Sequence, residues 1–292
     1  MNSTKLLLFL AMICISSVSF SQDDIALSKS NIQSYTPSKL LKKGELDVKW
    51  FNNLYTETKF VDGNGTSISK LRENYFTTSL DIFTGVSENN RLNIGLLLEY
   101  RSNTIGGRKA LSVFSLESSN SGRKGLSSFA PAIKFQPFKN VSNFSVQTAF
   151  HIPLISKESN NYGVYLDQTA YTFQNRFFYD YTFSSNKWQL FTELNTEYNF
   201  GADTSFANKT FVFAPGIFMS YFPSDRSTIL GFVQHSQRIG DFKQNYTALG
   251  FGGKYQLSKK MNLEILYSKF VSGESTGLGQ SFNLGLRYLL TK

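Results

Sequence analysis

Cysteine and histidine are nearly missing from this chain of 292 residues, which contains one Cys and two His. The single cysteine, Cys14, lies in an apolar N-terminal stretch that we expect to be removed on export. The remaining chain then has no thiol, which excludes disulfide bonds, thiol catalysis and cysteine-based zinc sites. The two histidines, His151 and His235, are far apart in the sequence and argue against a zinc site. We therefore expect no metal and no cofactor.

Long apolar runs are also missing beyond the N-terminus, so no membrane-spanning helix is predicted. The N-terminus itself carries a positive residue, Lys5, an apolar stretch over 6–18, and small residues at Ser19 and Ser21. This pattern is typical of a secretory signal peptide that is cleaved after Ser21. We assign residues 1–21 as this export signal.

Acidic residues are outnumbered by basic ones, 21 against 30, which gives a formal net charge of +9 at pH 7. The basic residues are scattered and the chain is expected to be exported, so nucleic acid is a poor explanation of the charge. Aromatic residues make up 15% of the chain, more than a soluble core needs and typical of barrels with aromatic girdles. The expected partners are therefore outer-membrane lipid and small solutes.

After a polar N-terminal stretch, apolar and polar residues alternate, and helical spacing fits these segments less well. Leu92, Ile94 and Leu96, for example, alternate with Asn93 and Gly95. Successive side chains of a strand point to opposite faces, so Leu96 is expected to face lipid and Gly95 the interior. The pattern predicts strands at 45–60, 71–86, 91–103, 127–137, 143–154, 165–183, 187–199, 210–222, 228–239, 245–257, 261–271 and 280–290.

The connections between these segments alternate between short and long, and the longest spans 104–126. Outer-membrane barrels have short periplasmic turns and longer extracellular loops. We therefore predict an all-β fold, a single transmembrane antiparallel β-barrel of about 12 strands over 44–292. The loop 104–126 is expected to be surface-exposed and mobile. A soluble two-sheet β-sandwich is the alternative, although its strands would be shorter.

The stretch 22–43 is polar, lacks periodicity and contains one proline. We interpret it as a flexible periplasmic lead-in to the barrel. Lys39, Lys42 and Lys43 are expected to lie in solvent.

Short motifs in the middle and at the end of the chain suggest a family. The segment 130–135 reads Ala-Pro-Ala-Ile-Lys-Phe, and the next predicted strand ends with His-Ile-Pro-Leu at 151–154. Together with Asn-Leu-Gly-Leu-Arg-Tyr at 283–288, they resemble the outer-membrane transporter family named after the phenol meta-degradation pathway. Ile-Ser at 155–156 departs from the Thr-Gly of that family. The resemblance covers 44–290 and implies a twelve-stranded barrel that passes small, including hydrophobic, compounds. It carries over no binding residue.

Catalysis has to be considered because some twelve-stranded outer-membrane barrels are lipid hydrolases. Their pattern places His and Ser two residues apart on one strand face, within hydrogen-bond reach. Neither His151 nor His235 has a serine at that spacing. The chain is therefore not expected to be an enzyme.

Charged residues on the inward register are the candidates for a functional lining, because an Arg or Lys facing lipid at mid-membrane costs ~2–4 kcal/mol. Both signs occur at similar depth, which predicts paired networks that either plug the barrel or line a polar channel. Phe178, Phe191, Leu97 and Leu289 share this register and would fill space. The candidate charges are Asp81, Glu99, Arg101, Lys134, Arg176, Asp180, Glu193, Glu197, Lys254, Glu264 and Arg287.

The leading functional hypothesis is a small passive outer-membrane channel for small solutes. The first alternative is a non-conducting structural or surface-interaction barrel that presents 104–126. A lipid hydrolase is the third, disfavoured by the missing His-x-Ser motif.

Overall fold

The computed structural model describes residues 36–115 and 119–290, so the expected export signal 1–21 lies outside the described residues. The described chain is built from antiparallel β-strands and one short 3-10 helix, Ala110–Phe114. Within it, no helix is long and apolar enough to cross a membrane. The strands are β1 (Leu46–Val61), β2 (Ser67–Gly85), β3 (Leu92–Thr104), β4 (Gly122–Phe135), β5 (Phe144–Pro153), β6 (Tyr171–Thr182), β7 (Trp188–Phe200), β8 (Thr210–Ser224), β9 (Ser227–Gly240), β10 (Gln244–Ser258), β11 (Met261–Glu274), β12 (Thr276–Gly277) and β13 (Gln280–Leu290).

The sheet closes on itself because β1 pairs with β2, the next strand, and also with β13, the last strand. Lys49 of β1 lies opposite Asp81 of β2 on one side and Arg287 of β13 on the other. Twelve long strands form the wall, and the two-residue β12 extends the pairing of β1. The prediction of a closed twelve-stranded antiparallel barrel is confirmed.

The two ends of the barrel differ in their connections. The end with the connections 86–91, 136–143, 183–187, 225–226 and 259–260, called the turn end, also holds both ends of the described chain. The opposite end, called the loop end, carries the three longest connections, 105–121, 154–170 and 201–209, together with the short connections 62–66 and 241–243.

The outer face is apolar although it is exposed, which is the reverse of the surface of a soluble protein. On β3, Leu92, Ile94 and Leu96 are 37–47% exposed, whereas Asn93 is 2% and Leu97 is 9% exposed. The alternation follows the pleat of the strand, so exposed residues point away from the barrel. Large apolar side chains exposed on the other strands include Trp50, Ile133, Phe173, Tyr179, Trp188, Tyr198, Phe211, Ile217, Ile229, Phe251, Ile265 and Phe282.

The long connection after β3 is packed, whereas we expected it to be mobile. Its first half folds back onto the outer face of the wall, where Ser102 Oγ donates to the Val113 carbonyl at 2.6 Å. Val113 is 3% exposed, and Phe114 stacks edge-on against Phe76 with ring centroids 4.8 Å apart. The connection is also shorter than predicted, since β4 begins at Gly122.

Glycines on the inner face give room to aromatic rings of neighbouring strands. A Cβ on Gly250 would lie 2.1 Å from the Phe232 ring, and one on Gly95 would lie 2.4 Å from the Phe83 ring. The rings therefore lie flat against the wall where these glycines stand.

We expect Gly250→Val to destabilise the barrel by about 1–3 kcal/mol, because the Phe232 ring would have to move. Gly231→Val is the matched control. It lies on the outer face, and the nearest atom to its Cβ would be 3.9 Å away. Urea titration of folding into lipid vesicles measures both. Equal costs for the two variants would contradict the role given to the ring.

Candidate functional site

The interior of the barrel is the candidate functional site. All eleven charged residues proposed from the sequence lie on inner-face positions of the strand register. Because successive side chains of a strand point to opposite faces, these residues point into the barrel, whereas the exposed apolar residues point away from it. The structure brings together Arg176 with Glu193, Lys254 with Glu264, and Arg101 with Glu99.

Arg176 and Glu193 form an ion pair between β6 and β7. Arg176 Nε donates to Glu193 Oε1 at 2.8 Å, and the two side chains are 32% and 15% exposed. Glu197, two inward positions further along β7, accepts from the Gln174 amide at 3.1 Å and from the Asn195 amide at 2.8 Å. Both carboxylates therefore have donors beside them on the inner face.

We expect Arg176→Gln to cost about 1–3 kcal/mol, because Glu193 would keep its charge without its partner. This is less than the ~3–5 kcal/mol of a dry, fully buried pair, since Arg176 is one-third exposed. The double variant Arg176→Gln/Glu193→Gln should recover most of the loss in a double-mutant cycle. A cost within the dry-pair range would mean that the interior excludes water at this level.

Several inner-face charges were missed by the sequence reasoning. Arg287 pairs with Asp47 through two hydrogen bonds of 2.8 and 2.7 Å. Lys70 bridges Glu57 and Glu73, at 2.6 Å to each carboxylate. The alternation of β1 contained the signal for Asp47 and Glu57, because both stand on the register of the other inward residues.

The connection 154–170, called the inserted loop, folds into the loop end of the barrel. Val164 is 0% and Leu166 is 2% exposed. The Asn103 amide donates to the Leu166 carbonyl at 3.1 Å, which holds the loop against β3. The predicted sixth strand over 165–183 is therefore too long, because its first six residues belong to this loop and β6 begins at Tyr171.

Asp167 of the inserted loop joins the network of the inner face. Arg101 stands between Glu99 Oε1 at 2.6 Å and Asp167 Oδ1 at 3.1 Å. Burial raises the pKa of the Asp167 carboxyl above its ordinary value, while Arg101 and the backbone N–H of Gln168 act in the opposite direction. Sequence reasoning missed Asp167 because it placed this residue in the predicted strand 165–183 and not in a loop that enters the barrel.

Residues 36–41, called the strap, cross the turn end on the inside of the wall. Thr36 Oγ1 donates to Asp180 Oδ1 at 2.8 Å, and Lys134 Nζ donates to the carbonyls of Pro37 and Lys39. Ser38 is 0% exposed. Leu41 packs into the core cluster formed with Phe83, Leu97, Ala130, Ala132, Ala149 and Leu289.

The strap corrects the expectation of a flexible, solvated lead-in. Lys42 and Lys43 are exposed as expected, but Lys39 is half-buried and donates to the Ser142 carbonyl at 3.3 Å. The buried Ser38 and Leu41 show that residues 36–41 are part of the packed interior. Residues 22–35 lie outside the described part of the chain.

A row of inward phenylalanines continues from Arg176 around the wall. Phe178 and Phe191 have ring centroids 6.1 Å apart, Phe191 and Phe218 are 5.3 Å apart, and Phe218 and Phe232 are 5.3 Å apart. These four residues are called the aromatic row. The row fills part of the interior, as Phe178 and Phe191 were expected to do.

The two histidines have amide or hydroxyl partners of ordinary geometry. His151 Nε2 lies 3.3 Å from Gln174 Oε1, and His235 Nδ1 lies 2.9 Å from Thr247 Oγ1. Within 36–115 and 119–290, no group of three or more His, Cys, Asp or Glu side chains could hold a metal ion.

A closed antiparallel barrel with an apolar outer face and a charged inner face defines the class of transmembrane β-barrels. Within this class, the chain belongs to the family described as "Putative MetA-pathway of phenol degradation", whose model matches residues 44–288. The resemblance noted from the short motifs is thereby confirmed.

Solved structures share the fold. An outer membrane channel from Pseudomonas putida F1 is 11% identical with a TM-score of 0.67, over 87% of this chain and 97% of that chain. The beta domain of the Bordetella autotransporter BrkA is 13% identical with a TM-score of 0.55, over 83% of this chain and 98% of that chain. A comparison with curated proteins gave no match.

Proposed function

We propose that this protein is a passive outer-membrane channel for small solutes. The observation that carries the proposal is the inner face, where paired charges and amides line the wall behind an apolar outer face. A lining of this kind lowers the cost of polar solutes crossing the membrane. The family membership and the similar fold of a Pseudomonas putida F1 outer membrane channel support it.

The barrel lies in the outer membrane with the turn end toward the periplasm and the loop end outside. Residues 1–21 act as the export signal, 22–43 form the N-terminal lead-in, of which 36–41 are the strap inside the wall, and 44–292 form the barrel. The eleven inward charges line the path, and transport requires no energy source and no catalytic step.

Paired charges suit selection among small polar solutes. Each pair presents donors and acceptors at a fixed depth in the barrel. A passing solute can replace hydrogen bonds to its hydration water with hydrogen bonds to these side chains. Because Arg176 and Glu193 stay partly exposed, the path at their level holds water. The strap and the inserted loop narrow the path at its two ends.

Planar-bilayer recording of the purified barrel, combined with liposome swelling in a panel of solutes, tests the proposal. We expect small conductance steps and swelling that falls steeply with solute size. A folded barrel that gives neither conductance nor swelling would contradict the channel function.

The second candidate is a non-conducting structural barrel, and the strap together with the inserted loop favours it. Both segments bury side chains inside the wall, namely Ser38, Leu41, Val164 and Leu166. In that case the bilayer recording stays silent even after the strap is removed.

A further inference from the structure

Three hydrogen-bond donors meet on the inner face of β4 and β5 near the turn end. Lys134 lies directly opposite Gln147 in the register, and Ser145 follows two residues away on the same face of β5. Gln147 is 6% and Ser145 is 0% exposed. The three side chains form one cluster, called the donor cluster.

Two of these donors have no protein partner. Within the described chain, Gln147 Nε2 and Ser145 Oγ are buried and have no hydrogen-bond partner. Buried polar atoms without a partner are rare, because each one loses its hydration on folding. Unmatched donors beside a lysine are suited to a ligand that brings acceptor oxygens.

The third donor, Lys134, has its hydrogen-bond acceptors in the strap. Its ammonium group donates to the carbonyl oxygens of Pro37 and Lys39, the latter at 3.1 Å. These two oxygens come from the backbone of a segment that crosses the interior rather than from the wall. They occupy the lysine in the way that the two oxygens of a carboxylate would.

We propose that the donor cluster is a binding site for a small organic carboxylate, and that the strap occupies it in the absence of the solute. This inference rests on the proposed channel function and names its solute class. The carboxylate displaces the strap carbonyls from Lys134 and also accepts from Gln147 and Ser145. Binding of the solute and release of the strap are thereby coupled.

The surroundings of the cluster define the rest of the solute. Lys134 Nζ lies 5.2 Å from the centre of the Phe178 ring, and Arg176 Cζ lies 5.1 Å from it. Phe178 is also the first member of the aromatic row. A flat apolar body attached to the carboxylate packs on this row, and benzoate is a suitable probe.

Strap release can be measured by chemical labelling, because Ser38 is fully buried and the only cysteine of the chain is Cys14. In the Ser38→Cys variant, purified in detergent, we expect saturating benzoate to raise the rate of maleimide labelling roughly tenfold. Benzyl alcohol, which lacks the carboxylate, should leave the rate unchanged. Equal effects of the two compounds, or no effect of benzoate, would overturn the proposal.

Substitutions within the donor cluster separate binding from simple loosening of the strap. Gln147→Leu leaves the strap contacts of Lys134 intact, so labelling without benzoate should stay slow while the benzoate response is lost. Lys134→Met should make labelling fast with and without benzoate. Gln256→Leu, the same change at a buried position near the opposite wall, is the matched control and should keep the full response.

The readout does not depend on conductance. Heat-modifiable migration in gels confirms that each variant is folded. Benzoate-dependent labelling in a barrel that never conducts would support the site and reject the channel. Conductance with labelling that ignores benzoate would support the channel and reject the site.

Discussion

Deletion of the strap, residues 36–41, should raise the single-channel conductance of the purified barrel several-fold in planar bilayers. The strap places Ser38 and Leu41 in the interior and covers Lys134 with its carbonyls. Removal of the strap widens the open part of the barrel at the turn end and exposes the charge of Lys134 to water. Anion selectivity should therefore rise together with the conductance.

An exposed contact beside the strap provides the control. Lys43 pairs with Glu88 at the surface, where the side chains are 57% and 83% exposed. Exposed pairs contribute little, so Lys43→Ala should leave conductance and folding unchanged. If a folded barrel without the strap conducts no better than the wild type, the obstruction lies in the inserted loop instead. Asp167→Asn, which weakens the contact of that loop with Arg101, would then be the change that increases conductance.

The wall of the barrel could be predicted because its signal is local. Apolar and polar residues alternate within each strand, as Leu92, Asn93 and Ile94 do, and the alternation alone assigns each residue to a face. The inward position of the eleven charges follows from the same rule. Strand pairing between consecutive segments needs no further information, since short turns leave each strand beside its predecessor.

The contents of the barrel could not be predicted in the same way. Thr36 and Asp180, which hold the strap, are 144 residues apart. No pattern in the sequence around either residue predicts that the two are in contact. The last six residues of the inserted loop, 165–170, were predicted as the start of a strand, because Tyr165 and Leu166 are residue types common in strands. Segments that fold into a lumen are placed by long-range contacts, and these leave no local trace in the chain.

Glycine positions on the inner face show another limit. From the sequence, Gly95 was expected to face the interior, and the alternation gave no sign that a side chain could not fit there. The Phe83 ring lies 2.4 Å from where its Cβ would stand, so any side chain there requires that ring to move. The alternation of apolar and polar residues does not predict that a ring covers a glycine of the next strand. A substitution at Gly95 would disturb this packing, so Gly95 is unsuitable as a control for changes on the lipid-facing side.

Leu96→Arg should impair folding into bilayers more than any other single change considered for the wall. Leu96 is 39% exposed on the outer face in the middle of β3, where an arginine meets hydrocarbon at a cost of ~2–4 kcal/mol. Gln234→Arg is the matched inner-face control. Gln234 lies opposite Gly216, which in turn lies opposite Glu193, so a new guanidinium there has water and a carboxylate near it. Urea titration of folding into vesicles should show a large loss for the first variant and a small change for the second. Equal tolerance of the two would mean that the exposed apolar face does not meet lipid, which would contradict the membrane location itself.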